Sequence, residues 1–148
     1  MVKLKKLLKK KSYTATKLTL TKTNHLEIEA ELNGVKGIFI LDTGASNTCV
    51  GVDKGEKFHL EFTESDVKAA GAGATEMDTF VSSKNSLTIS AWKTKKQKIV
   101  LFDLSHVNTA LELHDSSPVD GIIGADVLKK AKGVIDYNTT TLYVRKKR

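Results

Sequence analysis

The chain has 148 residues, 40% hydrophobic and 28% charged, the make-up of one globular domain long enough to bury a core. Its formal charge of +7 sits at the ends: Lys3, Lys5, Lys6, Lys9, Lys10 and Lys11 lie near one, and Arg145, Lys146, Lys147 and Arg148 at the other. Fourteen of the 24 Lys and Arg remain for the body against all 17 Asp and Glu, a net near −3, so the basic balance does not mark a specific nucleic-acid reader.

Met1, Leu4, Leu7 and Leu8 recur at helical spacing among lysines, predicting a short basic amphipathic helix over residues 2–11, with docking on the body the simpler expectation and contact with an anionic surface the alternative. From Tyr13 the period becomes two. Leu18 and Leu20 alternate with threonines, and Leu26, Ile28, Ala30 and Leu32 alternate with His25, Glu27, Glu29 and Glu31. Asn33-Gly34 then joins this run to Val35–Leu41, a hairpin signal because both turn positions favour φ > 0. The second arm ends in continuous apolar residues, as a strand covered on both faces does. Cys49-Val50, a turn near Asp53–Gly55 and the apolar run Phe58–Phe62 follow. Gly71 and Gly73 separate two strand-like stretches within Val67–Phe80. Leu87–Ile89 and Ile99–Phe102 read as strands, and His106–Leu113 as one or two turns of helix. Gly121–Gly133 predicts a buried strand, a helix from about Asp126 capped by that residue, and a stop at Gly133. Val134–Tyr137 and Leu142–Val144 flank a turn at Asn138–Thr140 and close the chain as a hairpin.

Cys49 is the only cysteine, which excludes an internal disulfide and a thiolate metal cluster. No apolar run approaches the roughly 18–20 residues of a membrane span, so no transmembrane segment is expected. MVKLKKLLKKK lacks the apolar region of about 7–15 residues that follows a signal-peptide start, and the expected location is cytoplasmic. His25, His59, His106 and His114 show no short ligand spacing; neither a metal nor an organic cofactor is expected. His106 and His114 are eight apart and fit one helical face, although surface placement is the simpler expectation. Cys49 reads as a small buried residue, and Trp92 with Lys93–Lys98 as a solvated loop.

The segment that carries chemistry is Ile38–Val50, IFILDTGASNTCV. Four apolar residues run into Asp42, Thr43 and Gly44. A strand-end turn acid is the plain reading of such a triplet, but its context adds to it. A glycine-rich hairpin tip follows about 27–31 residues after Asp42, and Ile122-Ile123-Gly124 leads into a helix later. In this order the chain resembles the retropepsin family, the retroviral-type aspartic proteases and their cellular and bacterial relatives, over about residues 24–145.

The resemblance implies an all-β fold. It is a small closed barrel of the retropepsin type, with one C-terminal helix, a flap hairpin and here a short N-terminal helix. It divides the chain into a basic extension (1–12), a protease domain (13–144) and a basic tail (145–148). It implies an aspartic endopeptidase that acts on a peptide or protein substrate as a homodimer, because this chain has one Asp-Thr-Gly and is too short for two lobes. Asp42, Thr43 and Gly44 match the catalytic triplet. Ala45 and Ser46 match the cleft edge, and Ala70, Gly71, Ala72 and Gly73 match the flap over the substrate. Ile122, Ile123 and Gly124 match the strand behind the loop, with Ile123 as a further substrate contact. Many retroviral enzymes carry Asp where this chain has Ser46 and Arg where it has Ala125; losing both members leaves no charge unpaired. A silent dimerisation or peptide-binding module with the same barrel is the alternative. Retroviral dimers interleave their termini, so Leu142–Val144 is a candidate strand for pairing across the dimer.

Overall fold

The chain was analysed as a computed structural model that describes residues 3–64, 69–71 and 74–146. Helix α1 (Leu4–Lys10) docks through Leu8, which is buried, while Leu4 and Leu7 stay exposed among the lysines. Strands β1 (Tyr13–Lys17) and β2 (Thr19–Leu20) follow. In β3 (Leu26–Leu32), Leu26, Ile28, Ala30 and Leu32 point inward, as their alternation predicts. Asn33 (φ 51°) and Gly34 (φ 82°) turn the chain into β4 (Val35–Leu41), with Leu32 opposite Val35. Two positive φ values in a two-residue loop are what Asn-Gly supplies most readily.

The remaining strands are β5 (Cys49–Gly51), β6 (Thr63–Glu64), β7 (Ala69–Gly71), β8 (Ala74–Met77), β9 (Phe80–Ile89), β10 (Trp92–Phe102), β11 (Gly121–Ile123), β12 (Val134–Asp136) and β13 (Thr141–Arg145). Helix α2 (Ser105–Leu113) precedes β11, and α3 (Ala125–Lys130) follows it. The main sheet runs β2-β3-β4-β11-β5-β10-β9-β6, and a further pairing of β3 with β9 closes β3, β4, β11, β5, β10 and β9 into a six-stranded barrel. Its interior is filled by residues such as Ile28, Leu32, Phe39, Leu87, Trp92, Ile99, Leu101 and Ile123, each no more than 1% exposed. Every such side chain contributes about 1.5–3 kcal/mol of apolar burial. Strands β7 and β8 form a separate hairpin.

Strand β11 fixes the geometry that matters. It lies parallel to β4 and antiparallel to β5, so Gly121 faces both Phe39 and Val50. A Cβ on Gly121 would run into the Cys49 carbonyl, and only glycine lets the three backbones meet there. Ile40, Leu111 and Val119 make a second apolar cluster, with Val107 and Ile122 packed against it, which seats α2 on the outer face of β4 and β11.

Among the described residues, the apolar run Phe58–Phe62 contains no strand, and its Phe58 is fully buried in the core. Several expectations are corrected. Lys93–Lys98 is part of β10 and not a loop; Trp92, Thr94 and Gln97 are buried while the lysines face water. Helix α3 ends on Lys132 (φ 51°), with Lys132 N–H donating to Lys129 O and Gly133 N–H to Leu128 O. The left-handed position is thus the lysine before the expected Gly133. Leu142–Val144 does not offer an edge for a second copy: β13 is flanked by β1 and β12 of its own chain, with Thr14 opposite Val144 and Ile135 opposite Leu142.

Candidate active site

Strand β4 ends in Phe39, Ile40 and Leu41, all buried, and Asp42 is the first exposed residue after them. Apolar burial therefore anchors the strand and leaves the carboxylate in the open. The Asp42 N–H donates to the Ile123 carbonyl (2.9 Å), which extends the β4–β11 pairing by one step. Asp42 Oδ1 accepts the Gly44 N–H at 2.9 Å, and the Asp42 carbonyl accepts the Ala45 N–H at 3.2 Å. The loop curls around its own acid. A Cβ on Gly44 would lie 3.3 Å from Oδ1, tight against the group the loop presents.

The loop is held from behind by a second set of bonds. The Ala45 carbonyl accepts the Ala125 N–H at 2.7 Å. Thr48, 1% exposed, is the hub: its Oγ1 accepts the Gly124 N–H (3.0 Å) and donates to Asp126 Oδ1 (2.8 Å), while its N–H reaches Asp126 Oδ2 (3.1 Å). Gln97 Nε2 also donates to Asp126 Oδ2 (3.0 Å), and Lys130 Nζ reaches Gln97 Oε1 (3.0 Å). Asp126 is therefore not the cap of α3, which starts from Gly124 without any side-chain cap. Its carboxylate ties the loop to β10. Thr48 and Gln97 were not singled out from sequence; the signal available was a Thr and a Gln in otherwise apolar runs, each needing a buried partner.

Other expected residues fall around this frame. Thr43, Gly44 and Ser46 are exposed beside Asp42, and Ala45 is half-buried. Ile123 is fully buried and serves the loop through its carbonyl; its neighbour Ile122 reaches outward to the α2 cluster. Ala70 and Gly71 belong to β7, with Gly71 paired to Ala74, whereas Ala72 and Gly73 lie outside the described residues. Cys49 is buried, and burial is the main reason its thiol is pushed up to about 12; the charges of Asp126 and Asp42 add to the rise, and a hydrogen bond with the Ile122 backbone opposes it. It is a packing residue with no nucleophilic use. Among the described residues, no three His, Cys, Asp or Glu gather in a metal-holding arrangement, and no helix is long and apolar enough to cross a membrane.

A carboxylate projected from a buried strand, inside a loop pinned by a later Ile-Ile-Gly strand, can take a proton from water on an open face. The family profile described as aspartyl protease matches residues 28–127. The chain belongs to the aspartyl protease family. Its fold is retropepsin-like. A retropepsin-like aspartic protease from Rickettsia conorii superposes with a TM-score of 0.56 at 18% identity, over 89% of this chain and 91% of that one. The retroviral protease-like domain of Ddi1 from Leishmania major gives 0.56 at 15% identity, over 81% and 87%. The EIAV protease complexed with the inhibitor HBY-793 gives 0.53 at 17% identity, over 70% and 85%. At these identities the likeness is one of fold. No curated protein matches the sequence significantly.

Proposed function

We propose that the chain is an aspartic endopeptidase that works as a homodimer, with residues 13–144 as the catalytic domain. Two Asp42 carboxylates, one from each copy, hold a water between them. Like charges about 3 Å apart cannot both ionise, so the pair keeps one proton and acts as acid and base at once. The ionised member takes a proton from the water as its oxygen attacks the peptide carbonyl. The protonated member delivers its proton to the carbonyl oxygen; the proton taken from the water then passes to the amide nitrogen as collapse of the tetrahedral adduct breaks the C–N bond, and a hydroxyl proton of the adduct returns to the carboxylate pair. Thr43 bonds across the two-fold axis to the partner loop and keeps the carboxylates together. Gly44, Ala45 and Ser46 border the substrate backbone, and Ala70 and Gly71 of the β7–β8 hairpin belong to a flap over it.

The observation that carries this reading is the exposure of Asp42 in a loop tied to the backbone of Ile123, Gly124 and Ala125. A single chain supplies one such acid. Because β13 is paired on both sides within its own chain, the dimer this reading requires is joined at the Asp42 loops and does not use β13 as a strand shared between copies. The second reading is a dimerisation or peptide-binding module with the same barrel that does not hydrolyse. A screen of diverse peptides at pH 4–7 separates them, with mass in solution measured against concentration. Cleavage that rises with the dimer and vanishes in Asp42→Asn supports the protease. Undiminished cleavage by Asp42→Asn, or by a monomer, rejects it. Peptide binding without turnover selects the module.

A further inference from the structure

Between α2 and the turn before β3 lies a cavity of about 560 Å³ that neither the catalytic loop nor its supports occupy. Lys22 and His25 line one wall, and His106 and His114 line the other, with Val107 and Leu111 as the apolar floor. The eight-residue spacing of His106 and His114 thus places both on the cavity side of α2. Every ionisable side chain in this lining is a base. His106 Nε2 is buried without a hydrogen-bond partner, an orphaned polar atom in a wall that could be satisfied by a ligand. His25 Nδ1 is engaged by Thr23 Oγ1 at 2.7 Å, leaving its Nε2 uncommitted by that bond. Glu27 is the neighbouring acid on β3; burial pushes its carboxyl up and the charge of His25 opposes the rise, and it is not part of the cavity lining.

The cavity adjoins the candidate catalytic loop by strand register. Leu26 pairs with Leu41, so His25 stands one step further, beside Asp42. The floor of the cavity rests on Ile40 and Ile122, next to the two strand ends that hold the loop. An extended peptide advances about 3.3 Å per residue, so a side chain entering here belongs to a residue within a few positions of the bond at Asp42.

We propose that this cavity is a specificity subsite for an acidic side chain, Asp or Glu, of the peptide substrate. The inference rests on the protease reading for its place in the reaction, but not for its chemistry. Lys22 and the imidazole N–H groups hold the carboxylate through charge-assisted hydrogen bonds, while Val107 and Leu111 pack its methylenes.

Two experiments on the full chain test it. In the first, the Asp42→Asn protein is titrated by NMR with N-acetyl-glutamate N-methylamide and with its glutamine counterpart. The glutamate probe is expected to shift the His25, His106 and His114 ring signals, and the glutamine probe to leave them. Equal response to both, or to neither, overturns the subsite. In the second, the wild type cleaves a positional peptide library. One position is expected to favour Asp or Glu over Asn or Gln by about tenfold or more, expressed mainly in KM. Lys22→Ala with His106→Ala should bring the Glu and Gln peptides to within about twofold. Lys22→Glu, on an exposed turn, provides a variant with little risk to folding and should also erase the preference. Cleavage with no acidic preference overturns the subsite and leaves the protease standing. An uncut library with a specific response to the glutamate probe overturns hydrolysis and leaves the subsite standing.

Discussion

Thr48 Oγ1 sits 2.8 Å from Asp126 Oδ1, and this one contact joins the loop after Asp42 to the helix after Ile123. The same oxygen takes the Gly124 N–H, so a single hydroxyl serves as donor and acceptor between two segments far apart in sequence. Replacement by valine keeps the shape and removes both bonds. Thr48→Val should cost about 1–3 kcal/mol, because it leaves a buried N–H and a carboxylate oxygen without a partner. A lower urea midpoint at unchanged slope is the expected record. An unchanged midpoint would mean that the hub carries no net stability.

Gly124 is closed to any side chain. A Cβ there would stand 2.6 Å from the Ala45 carbonyl oxygen, and backbone cannot swing away as a side-chain tip can. Gly124→Ala should therefore push the Asp42 loop off β11. The expected penalty is about 1–3 kcal/mol, seen as a melting point lower by about 2–4 °C per kcal/mol. Peptide cleavage should fall by more than the unfolded fraction explains. Retention of full activity would show that the loop tolerates the displacement.

Cys49 should be silent in the folded protein. Its thiol is buried and pushed up to about 12, so thiolate is scarce near pH 8. Labelling by a disulfide reagent is expected to follow the unfolding transition as denaturant is added. Rapid labelling in native buffer would place the thiol within reach of solvent.

Glu27 contributes a pH dependence of definite sign. Burial raises its carboxyl above the usual value, and His25 nearby partly opposes the rise. The folded state thus binds the proton more tightly than the unfolded chain. That contribution is fully present below the ordinary Glu range and is lost as pH rises through the raised value. Glu27→Gln removes the loss. The difference in urea midpoint, variant minus wild type, should grow in favour of the variant between pH 4 and pH 7. A constant difference would remove Glu27 from the account.

Much of this architecture can be read from residue order, for identifiable reasons. Asn33-Gly34 announces its hairpin because two adjacent left-handed positions admit few other pairs. Asp42 at the end of an apolar strand, and Ile122-Ile123-Gly124 before a helix, are local patterns, and both appear where expected. Strand β10 was legible only at its far end. Its inward residues Trp92, Thr94, Gln97 and Ile99 break strict alternation at register shifts between Thr94, Gln97 and Ile99, and intervening lysines mask the rest. Asp126 shows a different limit. An acid near a helix start suggests a cap, yet Thr48 and Gln97, brought in by β5 and β10, take its oxygens instead. Likewise Lys132 takes the left-handed turn that local propensity assigns to glycine. In each case a partner distant in the chain outweighs the nearest neighbours.

The sheet formed by β1, β13 and β12 has a bearing on biosynthesis. Its central strand joins Tyr13 to Arg145, and the Tyr13 hydroxyl donates to Lys132 O across 119 positions of chain. A nascent polypeptide emerging from the ribosome must wait for the segment around Thr141–Arg145 before this clasp can shut. Until then Leu142 and Val144, fully enclosed in the finished molecule, have no seat, and Leu18 and Ala131 lack their cover. The barrel's cover is thereby completed only after synthesis has passed this segment, so the earlier strands are laid down before the part that encloses them.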